Sequence, residues 1–193
     1  PIPDTIPVAR DIPYPGALTV SVDATDLKQR IYYVEQTVPV AAAGPPTLML
    51  PKWIPAKHRV FGSIRALAGL KIRAGDKIIP WRRDDVEVYA FHIEVPAGVD
   101  SLDLEFQFLS PTDPNQGRVL TTPHMLNLQC SHIILSPAGS YTRPIRVTPT
   151  VTFPVALPSA SSPAPHPHPF NPSLSQPPTL HLTSYATLTP TPT

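Results

Sequence analysis

Apolar side chains recur at every second position through most of this chain, the spacing of strands with one face buried. Leu18, Val20 and Val22 alternate with Thr19 and Ser21. Arg30 to Val40, RIYYVEQTVPV, is rich in aromatic and β-branched residues and reads as a second strand. Ala41 to Pro46, AAAGPP, breaks it, and a short TLML leads into the Pro-punctuated stretch PKWIPAKHRVFGS. Val86 to Val95 sets Glu87, Tyr89, Phe91, Ile93 and Val95 on one face, with Val88, Ala90 and His92 on the other. Leu102 to Leu109 alternates Leu102, Leu104, Phe106 and Phe108 against Asp103, Glu105 and Gln107. PAGVDS joins these two runs, with Gly98 free to take a positive φ, and the pair predicts a hairpin.

MLNLQCSHIILS and YTRPIRVTPTVTF supply two further candidate strands. Only RVFGSIRALAGLKI hints at a helix, and its β-branched residues and Gly69 suit a strand at least as well. About eight short strands at this spacing predict an all-β fold, an antiparallel β-sandwich or a saddle-like sheet. Fold class alone assigns no function.

Composition then divides the chain. The 15 Lys and Arg and the 14 Asp and Glu all precede Val147, and positions 147–193 carry none. The last Gly is Gly139 and the last acid is Asp113. This predicts an extended, Pro-rich N-terminal arm over residues 1–13, a folded β-domain over 14–153 and a Pro/Ser/Thr/His-rich tail over 154–193. The tail has too few large apolar residues to offset the entropy of ordering it, so disorder is expected there. A net charge of +1 gives no reason to expect nucleic acid as a partner. No apolar run approaches the ~20 residues that span a bilayer. Cys130 is the one Cys and cannot form an internal disulfide.

Candidate chemistry is sparse. Zinc hydrolysis needs convergent ligands, as in HExxH, and neither that motif nor two His four residues apart is present. His58, His92, His124 and His132 are scattered, and a strand His such as His92 reads first as a packed side chain. His124 and His132 could meet across a turn, and His166 and His168 in PHPHP could make an adventitious site for Zn or Ni. Cys130 sits in an apolar run and reads as a small buried thiol rather than an activated one. No catalytic residue and no metal ligand is assigned. Trp53, Trp81 and Tyr89, with His58 nearby in sequence to Trp53, are the candidate ligand surface or interdomain contact. Aromatic platforms of this kind bind sugars or peptides, and core packing is the competing explanation. WRRDD, Trp81 to Asp85, reads as a solvated turn with weak local ion pairs.

Longer strings add a resemblance. YPGALTVSVDATDL, LMLPKWIPAKH, LAGLKI, WRRDDVEVYAFHIEVPAGV, LSPTDPNQGRV, TPHMLNLQ and PAGSYTR together resemble the N-terminal β-domain of family M61 peptidases, the glycyl aminopeptidase family, from Tyr14 to about Thr152. The resemblance implies a neighbouring thermolysin-like catalytic domain that carries the zinc and HExxH, and activity on peptides with Gly or another small residue at the N-terminus. No part of that zinc motif lies in this chain, so no cofactor is expected within it, and the catalytic domain of the parent enzyme is the implied partner. Family members with such a lead are exported, so a periplasmic or secreted location is the expectation. The chain departs from the family pattern at Ala56 (Gly expected), Cys130 (aromatic) and Ser136 and Ser140 (Tyr).

A shifted reading frame and a Pro-rich linker each account for a tail of this composition, whereas a mucin-like stalk would be richer in Ser and Thr. The expectation is a frameshifted, truncated and inactive N-terminal domain with an unpaired sheet edge and a tendency to self-associate. The alternative, from a different class, is a free-standing β-sandwich module that binds ligand through Trp53 and Trp81.

Overall fold

The alternation seen in sequence becomes a long mixed sheet whose inward positions are almost wholly dry. The computed structural model describes residues 5–8, 13–40, 46–52, 64–111, 120–122, 125–140, 145–154, 179–181 and 184–186. In chain order the strands are β1 (Ala17–Asp23), β2 (Ile31–Pro39), β3 (Thr47–Met49), β4 (Leu67–Ala74), β5 (Lys77–Ile79), β6 (Trp81–Arg83), β7 (Ala90–Ile93), β8 (Ser101–Leu109), β9 (Leu120–Thr122), β10 (Met125–Asn127), β11 (Ser136–Pro137), β12 (Ile145–Thr152), β13 (Thr179–His181) and β14 (Ser184–Ala186). Among the described residues there is no α-helix, only single 3₁₀ turns at Ile64–Ala66 and Cys130–His132. The helix hinted at in RVFGSIRALAGLKI is that short turn running straight into β4.

The large sheet runs β13-β12-β1-β2-β8-β4-β5, with β14 also on β12. β2 and β8 pair over their full nine residues, from Ile31↔Leu109 to Pro39↔Ser101. Leu18, Val20, Val22, Tyr32, Val34, Val38, Leu102, Leu104, Phe106 and Phe108 are all buried, as their period-two spacing predicts. The expected purely antiparallel arrangement is corrected at one place: β1 and β12 are parallel, with Ala17↔Arg146 through Asp23↔Thr152. They are distant in sequence, so no tight turn dictates their direction. β4 carries a bulge between Ala68 and Lys71, where Gly69 takes φ +64°. A side chain there would be strained, and Gly is the residue that bulges of this kind use.

The small sheet runs β11-β3-β7-β6. Two expectations fail here. The predicted hairpin of Val86–Val95 with Leu102–Leu109 does not form, because β7 pairs β3 and β6 while β8 pairs β2 and β4. The segment between them, with Gly98 at φ +80°, crosses from one sheet to the other. β8 finds nine residues of register on β2, far more ladder than the four-residue β7 offers. The strand expected from Val86 also starts late, at Ala90.

Both sheets bury their inner faces in one cluster, with Leu48, Leu50, Phe91, Ile93 and Val95 packed among the large-sheet residues. Gln36, 2% exposed in the middle of β2, is one of the buried polar residues. Its side chain amide donates to the Leu135 carbonyl, and its Oε1 accepts the Leu135 amide at 3.0 Å. This two-way bond fixes the Ile133–Leu135 segment against the large sheet. Where the tail is described it is paired: Leu180 lies opposite Val151 and Tyr185 opposite Arg146, so β12 has neighbours on both sides. β12 is therefore not an edge strand of the sheet.

Candidate functional site

The densest polar arrangement among the described residues sits on the small sheet, where Asp84 follows β6. Its Oδ1 accepts the Val86 amide at 2.9 Å and the Glu87 amide at 2.8 Å, and its own amide donates to the Ala90 carbonyl at 3.0 Å. A side chain that captures the next amides competes with strand pairing, which is why residues 85–89 turn instead of extending β7. Glu87 closes a second turn by accepting the Tyr89 amide at 3.3 Å. Lys52 ties that turn to the chain after β3, with Nζ 2.7 Å from Glu87 Oε2 and 5.9 Å from the centre of the Tyr89 ring.

Asp84 has further partners across the sheet. Its Oδ2 lies 2.7 Å from His92 Nε2, and the Thr5 hydroxyl of the N-terminal arm donates to the same oxygen. His92 Nδ1 in turn lies 3.1 Å from Thr47 Oγ1. These bonds hold the Asp84 carboxyl well below the usual carboxylate range, the Thr5 hydroxyl acting most, then His92, then the two backbone amides, against an opposing push from burial. A Thr–His–Asp row has the residue types of acyl-transfer chemistry, but Thr47 is 3% exposed, so no substrate carbonyl reaches its hydroxyl.

Of the predicted site residues, Trp81 and Tyr89 are among those described. Trp53 and His58 lie outside the described residues, as does His124. Trp81, on the edge strand β6, is 36% exposed, and its indole N–H donates to the Leu70 carbonyl at 3.0 Å. Its ring meets Phe91 edge-on, centroids 5.4 Å apart at 72°. Trp81 thus connects the small sheet to β4 of the large one. Tyr89 is 9% exposed, and burial pushes its hydroxyl upward. Sequence reasoning placed Asp84 in a solvated turn; only Arg82–Asp85, 3.4 Å apart on exposed side chains, fits that description. The local signal that could have found Asp84 is an Asp two and three residues before Val86 and Glu87, the spacing of an Asx turn.

The donor sets among the described residues do not suit zinc. Both ring nitrogens of His92 are engaged, and among the described residues no three His, Cys, Asp or Glu side chains group as metal ligands. Cys130 is half-buried, and burial pushes its thiol up, away from a reactive thiolate. No helix among the described residues is long and apolar enough to cross a membrane.

Comparison with known proteins supplies what the side chains do not. A likeness in structure links the chain to an aminopeptidase N family protein from Idiomarina loihiensis, at 13% identity and a TM-score of 0.59, over 71% of this chain and 22% of that one. An M1 zinc metallopeptidase from Deinococcus radiodurans gives 12% identity and a TM-score of 0.49, over 88% of this chain and 38% of that one. The chain therefore spans well under half the length of either. No curated protein matches it. The family model described as the peptidase M61 N-terminal domain matches residues 19–193, past Thr152 and through the tail. With that match over most of its length, the chain belongs to the peptidase M61 N-terminal domain family.

Proposed function

We propose that this chain is the non-catalytic β-domain of an M61-type zinc aminopeptidase, working beside a catalytic domain that carries the metal. The observation that carries this reading is the family match over residues 19–193. Two others support it: the sequence has no HExxH, and the His92 nitrogens already serve Asp84 and Thr47. In this reading the domain presents a rigid β surface that helps bound the substrate cleft, while water activation at zinc belongs to the neighbouring domain. The substrates of the assembled enzyme are peptides with Gly or another small residue at the N-terminus, and the enzyme works in the periplasm or outside the cell.

Zinc content and turnover of a Gly-anilide substrate test this directly. The chain alone should hold zinc well below one equivalent and show no turnover. Mixed with a separately prepared M61 catalytic domain, it should form a complex that sediments as one species. Stoichiometric zinc together with turnover by the chain alone overturns the proposal, and so does failure to bind the catalytic domain.

A further inference from the structure

The arm that precedes the family-matched residues touches the small sheet at both of its edges. Strand pairing fixes which side chains share a face. Thr47 and His92 are partners on β3 and β7, and Arg82 lies opposite His92 on β6. Phe91 and Ile93 point to the other side, into the core. The row Asp84–His92–Thr47 therefore lies on the outer face. It continues to β11 through the Ala138 amide, which donates to the Thr47 carbonyl at 2.7 Å.

An outer-face residue is ordinarily wet, yet Thr47 is 3% exposed and Asp84 6%. Something covers them. At the β6 edge the Thr5 hydroxyl donates to Asp84 Oδ2. At the β11 edge the backbone of Val8 and the ring of Pro7 lie against Gly139, so closely that a Cβ added there would be 3.2 Å from the Val8 carbonyl oxygen. Gly139 also has φ +81°, a conformation that glycine adopts without strain. From Thr5 to Val8 the chain can reach about 10 Å at ~3.4 Å per residue. Three interstrand spacings come to about 14 Å, a span that the Thr5 and Asp84 side chains complete.

We propose that residues Thr5–Val8 form a strap across the outer face of the small sheet, buckled at Asp84 and seated at Gly139. A neighbouring domain that used this face would have to displace the strap. The strap does not depend on the M61 reading, since its residues precede the family match.

Amide hydrogen exchange on the full chain tests the strap, with Thr5→Val, Asp84→Asn and the double variant compared with the parent. Thr5 is exposed and Val is nearly its shape, so the single variant keeps the fold. Thr5→Val should speed exchange of the Val86, Glu87 and Ala138 amides about tenfold, the scale of losing one hydrogen bond to a carboxylate. Amides of β1, β2 and β8 should stay at the parent rate. In the Asp84→Asn background the Thr5 change should add little, because the buckle is already weakened. Removing residues 1–8 should reproduce the Thr5→Val pattern more strongly and extend it to the Thr47 region. Unchanged exchange in both Thr5→Val and the deletion overturns the strap. Full additivity of Thr5→Val with Asp84→Asn overturns the assignment of Asp84 as its buckle.

Discussion

The two sheets are held by different physics. The large sheet rests on alternation: β1, β2 and β8 place apolar side chains inward at every second position, and its longest ladder runs nine residues without a slip. The small sheet has strands of two to four residues, too short to be specified by pattern, and relies on Asp84, His92, Thr47, Lys52 and Glu87 to fix its loops. A sheet built on burial keeps the rest of its core when one hydrogen bond is lost, so the damage is confined to that bond. A sheet built on a carboxylate with four donors does not confine it, because a single change strands several buried groups at once.

The sharpest break is in the large sheet's core. Phe108→Ala removes a fully buried ring and should cost about 3–5 kcal/mol, lowering the urea midpoint of every probe together. Asp84→Asn should cost less, about 2–3 kcal/mol, and should act locally, loosening the small sheet before the large one. Its pH signature is distinctive. The folded carboxyl lies below its unfolded value, so its stabilisation is present above about pH 4 and is lost as pH falls further. Asp84→Asn should flatten that acid limb; an unchanged limb would show that other carboxylates produce it.

Gln36→Leu keeps the shape of a buried residue but leaves the Leu135 amide and carbonyl without that partner, an expected loss of about 1–3 kcal/mol. Because Gln36 sits in the large sheet yet acts through hydrogen bonds, a loss larger than that of Asp84→Asn would erase the distinction drawn between the sheets. The smallest effect should come from Lys52→Met. Its pair with Glu87 is partly exposed, so about 0.5–1 kcal/mol is expected, shrinking further in 1 M salt. A salt-insensitive loss would point to the Lys52 stem covering Tyr89 instead of to its charge.

Much of the large sheet was readable from residue order, and most of the small one was not. The inward set Leu102, Leu104, Phe106 and Phe108 follows from period two alone. The same reasoning carried the Val86–Val95 strand too far, because one side chain, Asp84, takes the amides that a strand would offer its neighbour. It also paired β7 with β8, since adjacency in sequence is the usual guide and the longer register of β2 on β8 is invisible until both are placed. Trp81 was legible as an aromatic of either a ligand surface or the core, but not as the residue whose N–H reaches Leu70. The candidate surface of Trp53, His58, Trp81 and Tyr89 rested on residue type, and of these only Trp81 and Tyr89 are described.

By itself the sequence determined the all-β class, the inward faces of β1, β2 and β8, the family and the want of a zinc motif. Each of these depends on local pattern or on residue identity. Tertiary structure alone decided the parallel pairing of β1 with β12, the division into two sheets, the placing of the tail strands on β12 and the meeting of Thr5 with Asp84, 79 residues apart. These are choices of partner between distant segments. They are settled by which pairings bury the most surface and satisfy the most backbone groups together, and no local window contains that comparison.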